Sequence, residues 1–278
     1  MLYLLLAILT TSMISVIMRF SIGQVKNNAT MLAVNYLVCM ILATLHTGLD
    51  RLFPAVPDLP KTLGIGAVNG FMYLLGFVLM RRNTQLNGVV LTSIFMKLSL
   101  MIPILLSIFL FGETPTVFQL VGFAVAIASI VLINSDNSSP VMNSRTALIV
   151  LLLLGGGGDT MSKIFEQVGN SAYSENFLLY TFISATILAI ALAAFKKERP
   201  CKKDLLFGVL IGIPNFFCAR FLLMSLTQLP GVLVFPTLCV GSILVVTLAG
   251  LLIFKERLGK RQWIAMGAIL GALVLLNI

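Results

Sequence analysis

The feature that most constrains this chain is the recurrence of long apolar runs. Stretches at about 2–23, 30–49, 62–80, 86–110, 115–134, 146–166, 173–195, 205–226, 230–254 and 262–278 are each bounded by turn residues or charges. A helix that crosses a bilayer needs about 20 predominantly apolar residues, because lipid offers its backbone no hydrogen-bond partner. Ten such helices use roughly 200 of the 278 residues and leave no room for a separate soluble domain. Composition agrees: 59% of residues are apolar, 10% are charged and the mean hydropathy is +1.04, against about 25% charged in an average soluble domain. The chain is expected to be an all-α integral membrane protein. It opens on Met1-Leu2-Tyr3-Leu4-Leu5-Leu6 without a basic leader or a small-residue cleavage site, so the first run is expected to be a retained membrane helix.

The clearest connectors are 50–61 with three prolines, 135–145 with Asp136-Asn137-Ser138-Ser139-Pro140, and 196–204 with Pro200. The middle one separates five spans from five. A gapless shift of 143 residues aligns Thr84-Gln85-Leu86-Asn87-Gly88-Val89 with Thr227-Gln228-Leu229-Pro230-Gly231-Val232. The same shift aligns Phe111-Gly112-Glu113 with Phe254-Lys255-Glu256, Gln119 with Gln262, and Asn134 with Asn277. Leu and Val match by chance in apolar sequence, but Thr-Gln, Gly, Glu, Gln and Asn in one register do not. The chain therefore reads as two repeats, 1–134 and 146–278. With five spans each, the second enters the bilayer from the opposite side, which makes the repeats inverted.

On this doubled pattern the sequence resembles the drug/metabolite transporter superfamily and, within it, the EamA-like ten-helix proteins. The resemblance rests on the Gly before the fourth helix of each half, the acid after it, and Gln119 and Gln262 opening a Gly/Ala-rich fifth helix. It implies an alternating-access transporter whose cavity is lined by the first four helices of each half. It does not imply one substrate, since the fold carries amino acids, sugars, nucleotide sugars, phosphorylated sugars, choline-like cations and drugs.

The net charge of +9 would raise the question of nucleic acid in a soluble protein. Here Lys and Arg collect in short inter-helix loops, where the positive-inside rule accounts for them, and no nucleic-acid partner is expected. Thirteen basic residues flank one side, among them Lys26, Arg81, Arg82, Arg145 and the cluster 196–203, and only Arg51, Lys61 and Lys163 flank the other. That bias puts both termini outside a cell membrane crossed many times, although described members of the family usually have both ends in the cytoplasm. Cys39, Cys201, Cys218 and Cys239 have no metal or disulfide spacing. With no Walker A loop, HExxH or GxSxG, no enzyme activity, cofactor or metal is expected.

A charge at mid-bilayer costs about 2.5–3.5 kcal/mol on insertion scales, so it persists where it faces protein, water or solute. Lys97 lies near the centre of the fourth run and is expected to attract an anionic group of the substrate. The alternative is an internal ion pair or a neutral buried lysine. Arg220, in the eighth run after Phe216-Phe217, offers a planar fork for a carboxylate or phosphate, or snorkels to the headgroups. Asn69 and Tyr73 in the third run and Asn215 in the eighth lie on matched faces of small and polar residues, able either to orient a solute or to bond between helices. Asp159, after Gly155-Gly156-Gly157-Gly158, is the acid that would carry a coupling proton or take part in gating; tight packing and an i,i+4 pair with Lys163 is the plainer reading. Arg19 is a gating candidate or an interface anchor. Weaker candidates are Asn35, Tyr36, Asn176, Tyr180 and Ser184. Glu113, Glu256 and His46 read as helix-end or interfacial residues.

The expected function is secondary active transport of a small, anionic metabolite, by a chain acting as a monomer in the bilayer. An exporter of amino acids or neutral drugs, with its basic residues paired internally, is the alternative. A non-transporting scaffold or receptor is the alternative of another class, and it gives no reason for polar groups deep in matched helices.

Overall fold

The computed structural model describes residues 1–21, 23–54, 56–134, 144–196, 200–253 and 260–276. Among them every regular element is helical: α1 (Leu2–Ser21), α2 (Asn28–Thr47), α3 (Leu59–Leu98), α4 (Met101–Phe109), α5 (Val117–Asn134), α6 (Arg145–Leu154), α7 (Gly157–Val168), α8 (Ser174–Lys196), α9 (Lys202–Leu226), α10 (Gly231–Leu252) and α11 (Lys260–Leu276). Short 3-10 turns occupy Leu49–Arg51 and Ser171–Tyr173. Among the described residues seven segments are long and apolar enough to cross a membrane: Leu2–Ser21, Asn28–Thr47, Leu59–Met80, Arg145–Val168, Ser171–Phe195, Lys202–Leu226 and Gly231–Leu252. Val117–Ser129 is a shorter apolar helix. The protein is a multi-pass membrane protein.

Two spans depart from the boundaries read in the sequence. The third and fourth runs are not separated at 81–85; α3 continues through Arg81-Arg82-Asn83-Thr84-Gln85 to Leu98. Nothing there stops a helix, because no Pro or Gly lies between Phe77 and Asn87 and charged side chains are compatible with helical backbone. Asn83 Nδ2 donates to Leu79 O and Ala147 O, and Asn87 Nδ2 to Ser144 O, so these two amides join α3 to the start of α6. The break falls instead at Ser99-Leu100. Pro103 has no N–H for the Ser99 carbonyl, which accepts from Ile102 N at 3.1 Å. The sixth run is likewise two helices, α6 and α7, parted at Gly155-Gly156. The two breaks meet: a Cβ on Gly156 would lie 2.7 Å from Ser99 O, and one on Gly155 would lie 3.1 Å from Ser99 Oγ.

The helices form two compact units, the first of Met1–Leu74 with Met161–Thr227, the second of Leu75–Thr160 with Gln228–Ile278. Each draws helices from both halves of the sequence. In the first unit α2 packs against α8 and α9, and α1 against α9. Glycine is required at the α2–α9 contact, where a Cβ on Gly208 or Gly212 would lie 2.7 Å from Val34 Cβ or Val38 Cβ. The start of α9 is fixed by buried Asp204, whose carboxylate accepts from Cys201 N and Lys26 N, both at 2.8 Å. The exposed donors of a helix N-terminus stabilise such an acid.

In the second unit α10 packs against α4, α5 and α11, and α5 against α11, around Ala126, Val240, Ala272 and Leu276. Glu113 caps α10: Gly231 N and Val232 N donate to its two carboxylate oxygens at 3.0 and 2.9 Å. Glu113, a helix-end residue in the sequence, thus caps a helix that starts 118 residues later.

Candidate functional site

The first unit contains an open cavity of about 420 Å3, lined by the Ser171–Ser174 turn, Glu175 and Leu178 of α8, and Arg220, Leu223, Met224 and Thr227 of α9 and its end. That volume lies in the range of small-molecule sites, about 300–1,000 Å3. At its wall Arg220 Nε donates to Glu175 Oε1 at 2.8 Å, and Nη2 lies 2.8 Å from the same oxygen in an ion pair. The side chains are 26% and 33% exposed, and both residues line the cavity. The second carboxylate oxygen, Oε2, is buried without a hydrogen-bond partner. Among the lining residues Arg220 and Glu175 are the charged ones.

The pair is carried by two helices, α8 and α9, that both pack against α2. Glu175 lies in the first turn of α8 and Arg220 in the last two turns of α9, so both stand far from the connector that joins the helices. The start of α8 is anchored by the connector between α2 and α3. Asn176 Nδ2 donates to Arg51 O and Tyr180 Oη to Leu52 O, both at 2.7 Å, while Asn170 Nδ2 donates to Asp58 Oδ2 at 2.9 Å. Further along α8, Ser184 Oγ donates to Ala67 O at 2.9 Å. Asn176, Tyr180 and Ser184, weaker candidates in the sequence, thus bind backbone carbonyls in the structure.

Asn69 is fully buried, and its Nδ2 donates to Thr181 Oγ1 at 3.1 Å while its Oδ1 has no hydrogen-bond partner. Beside it Gly70 lies so close to Thr181 O and Ser184 Cβ that no side chain fits. Asn215 Nδ2 donates to Asn35 Oδ1 at 3.2 Å, joining α9 to α2. Tyr73 sets its ring edge-on to Phe182 with centroids 6.1 Å apart. On α9 an aromatic series follows, with His46 5.1 Å from Phe216, Phe217 5.8 Å from Phe221, and Phe221 6.5 Å from Tyr3. Cys39 Sγ donates to Gly212 O at 3.2 Å.

Arg19, Asn69, Tyr73, Asn215 and Arg220 all belong to the first unit, and Lys97 and Asp159 to the second. Arg19 is exposed at the end of α1, and Asp159 is half-buried in the first turn of α7. Lys163 is buried and donates to Glu166 Oε2 at 2.7 Å, an i,i+3 pair. The Lys97 side chain lies outside the described residues, as do Glu256, the Gln262 side chain and the connector residues 135–143. Among the described residues no group of three or more His, Cys, Asp or Glu could hold a metal ion.

Sequence reasoning missed Glu175. It opens an apolar run, where a charge is the ordinary marker of a membrane boundary. The available signal was positional, since consecutive spans run in opposite directions, which brings the start of the seventh run level with the end of the eighth.

Two stretches that together cover nearly the whole chain, residues 1–135 and 146–278, match the profile of the EamA-like transporter family. An uncharacterised protein of Haemophilus influenzae is 25% identical over 197 residues, which span 68% of this chain and 67% of that one. A solved structure described only as the crystal structure of a protein superposes with a TM-score of 0.75 at 17% identity, over 99% of this chain and 94% of the other. At that identity the likeness is one of fold.

Proposed function

Because the chain belongs to the EamA-like transporter family, we propose that it is a secondary active transporter that moves a small polar metabolite across the cell membrane by alternating access. The two repeats, 1–134 and 146–278, act as inverted halves of the carrier, with both termini outside. The observation that carries the reading is the cavity of about 420 Å3 with an ion pair on its wall. A charged pair in a membrane-length helix is costly, and its placement at a cavity is the ordinary mark of a solute path.

In this reading Arg220 engages an anionic group of the solute, Lys97 of the second unit attracts anions, and Asn69, Tyr73 and Asn215 orient the solute by hydrogen bonds. A coupling proton, where one is used, falls to Asp159, and Arg19 serves gating. The alternative solute class, amino acids or neutral compounds, gains from one observation: Glu175 already neutralises Arg220. An unpaired arginine would draw any anion, whereas a paired one favours solutes that leave the pair's charge balanced.

The test is a thermal-shift screen of the purified protein against anionic, zwitterionic and cationic metabolites, run in parallel on Lys97→Met. A ligand that binds the folded state raises its melting temperature by mass action. Anions that stabilise the wild type and not the variant support an anion carrier with Lys97 in its site. Zwitterions or neutral compounds that stabilise both proteins equally support the alternative class and remove Lys97 from the site.

A further inference from the structure

Resting on the transport reading of the same cavity, we infer that Arg220 and Glu175 are exchangeable ion partners, and that the solute is a zwitterion whose carboxylate takes Arg220 while its cationic group takes Glu175. Three observations carry this. First, both Arg220 nitrogens converge on one oxygen, Oε1. The strongest arginine–carboxylate arrangement is a fork to two oxygens, so a carboxylate entering the cavity can offer Arg220 a better partner than the one it has. Second, Glu175 Oε2 is buried with no hydrogen-bond donor. A buried oxygen of that kind is short of a partner, and an ammonium that takes the place Arg220 vacates beside the carboxylate would supply one. Third, among the described residues the cavity holds no other charge: Arg220 is the charged group presented by α9 and Glu175 the one presented by α8, and the Ser171–Ser174 turn contributes hydroxyls and an alanine.

The balance of charge then selects the solute. A simple anion bound to Arg220 strands Glu175, and a simple cation bound to Glu175 strands Arg220. Leaving one member of a partly desolvated pair without its partner is more costly than the pair itself is worth. A solute with both charges replaces one pair by two and strands neither. Glu175 is thus a specificity residue, a stand-in for the solute's carboxylate that is displaced on binding.

The experiment is a thermal-shift titration of the purified full chain with free glycine, sodium formate and ammonium chloride at constant ionic strength. Wild type is compared with Glu175→Gln, Arg220→Met and the double variant Arg220→Met with Glu175→Gln, whose neutral pair leaves no stranded charge and serves as the folding control. Glycine is expected to raise the wild-type melting temperature by about 2–4 °C at saturation, and formate or ammonium alone far less. In Glu175→Gln, formate is expected to stabilise, because Arg220 now lacks its internal partner, and this shift should vanish in the double variant. Formate that stabilises Glu175→Gln and the double variant equally, or glycine that stabilises wild type and double variant equally, overturns the exchange. The transport reading fails separately. Vesicles inert to every solute while the glycine shift behaves as expected would leave a zwitterion-binding site without transport. Vesicles that carry solute while the shift is the same in wild type and double variant would retain transport and remove this site.

Discussion

Glu113 and Gly231, 118 residues apart in sequence, are joined at the start of α10, where the Gly231 N–H donates to the carboxylate at 3.0 Å and the next N–H does the same. Pro230 precedes them and has no N–H of its own, so this acid meets the first two donors of a helix that lipid could not satisfy. Glu113→Ala is expected to cost about 1–2 kcal/mol, the usual range for losing a side-chain cap. Glu113→Gln, which keeps one acceptor, should cost less. Thermal unfolding in detergent measures both, and equal melting temperatures for wild type and Glu113→Ala would remove the cap from the account.

The bond between Asn215 and Asn35 ties α9 to α2 inside the first unit. Either amide changed to Leu leaves the other without its partner, so each single variant should lose about 1 kcal/mol. The double variant should lose less than the sum, with a coupling of about 0.6 kcal/mol, the mean for such pairs in membranes. A double-mutant cycle by chemical unfolding checks this, and strict additivity would show that the two amides act independently.

Two glycines in helices should respond oppositely to one methyl group. A Cβ on Gly70 would run into Thr181 O and Ser184 Cβ, while one on Gly267 of α11 meets nothing within 4 Å. Gly70→Ala should lower stability by about 1–3 kcal/mol through forced separation of α3 and α8, and Gly267→Ala should hold or raise it. Comparing melting temperatures of the two purified variants decides the matter. A Gly70→Ala protein as stable as wild type would contradict the close approach of these helices.

Much of this architecture was legible because apolar length and repeat register are strong signals in a membrane chain. The 143-residue shift that aligned Glu113 with Glu256 also marked Gly231 as the start of a helix, and the structure joins Glu113 to that start. What the pattern could not supply was the partner of each polar group. Arg220 was readable as a fork for an anion, but Glu175 became its partner only through the packing of both α8 and α9 against α2. The Asn69 and Asn215 faces were open to two readings, and the structure gives each Asn a bond to a neighbouring helix. The boundary placed near 81–85 failed for a physical reason, since Arg81-Arg82 marks polarity and not a break. Ser99 before Pro103, together with Gly155-Gly156, carried the backbone signal instead.

Loss of the ion pair should separate stability from activity. Arg220→Met strands Glu175 and should lower the melting temperature, while combining it with Glu175→Gln should recover most of that loss, since two neutral side chains leave no unpaired charge. Neither variant is expected to transport. A thermal-shift comparison with a flux assay on the same preparations checks both halves, and full activity in the double variant would show that the pair is a structural brace.

The most direct test of the central claim is solute counterflow in vesicles reconstituted with the purified protein, assayed over a panel of anionic, zwitterionic, cationic and neutral metabolites. The account predicts that the wild type exchanges at least one zwitterionic or anionic solute and that Arg220→Met with Glu175→Gln abolishes that exchange although the variant is folded. Vesicles inert to the whole panel, or a double variant that exchanges the solute at the wild-type rate, would contradict it.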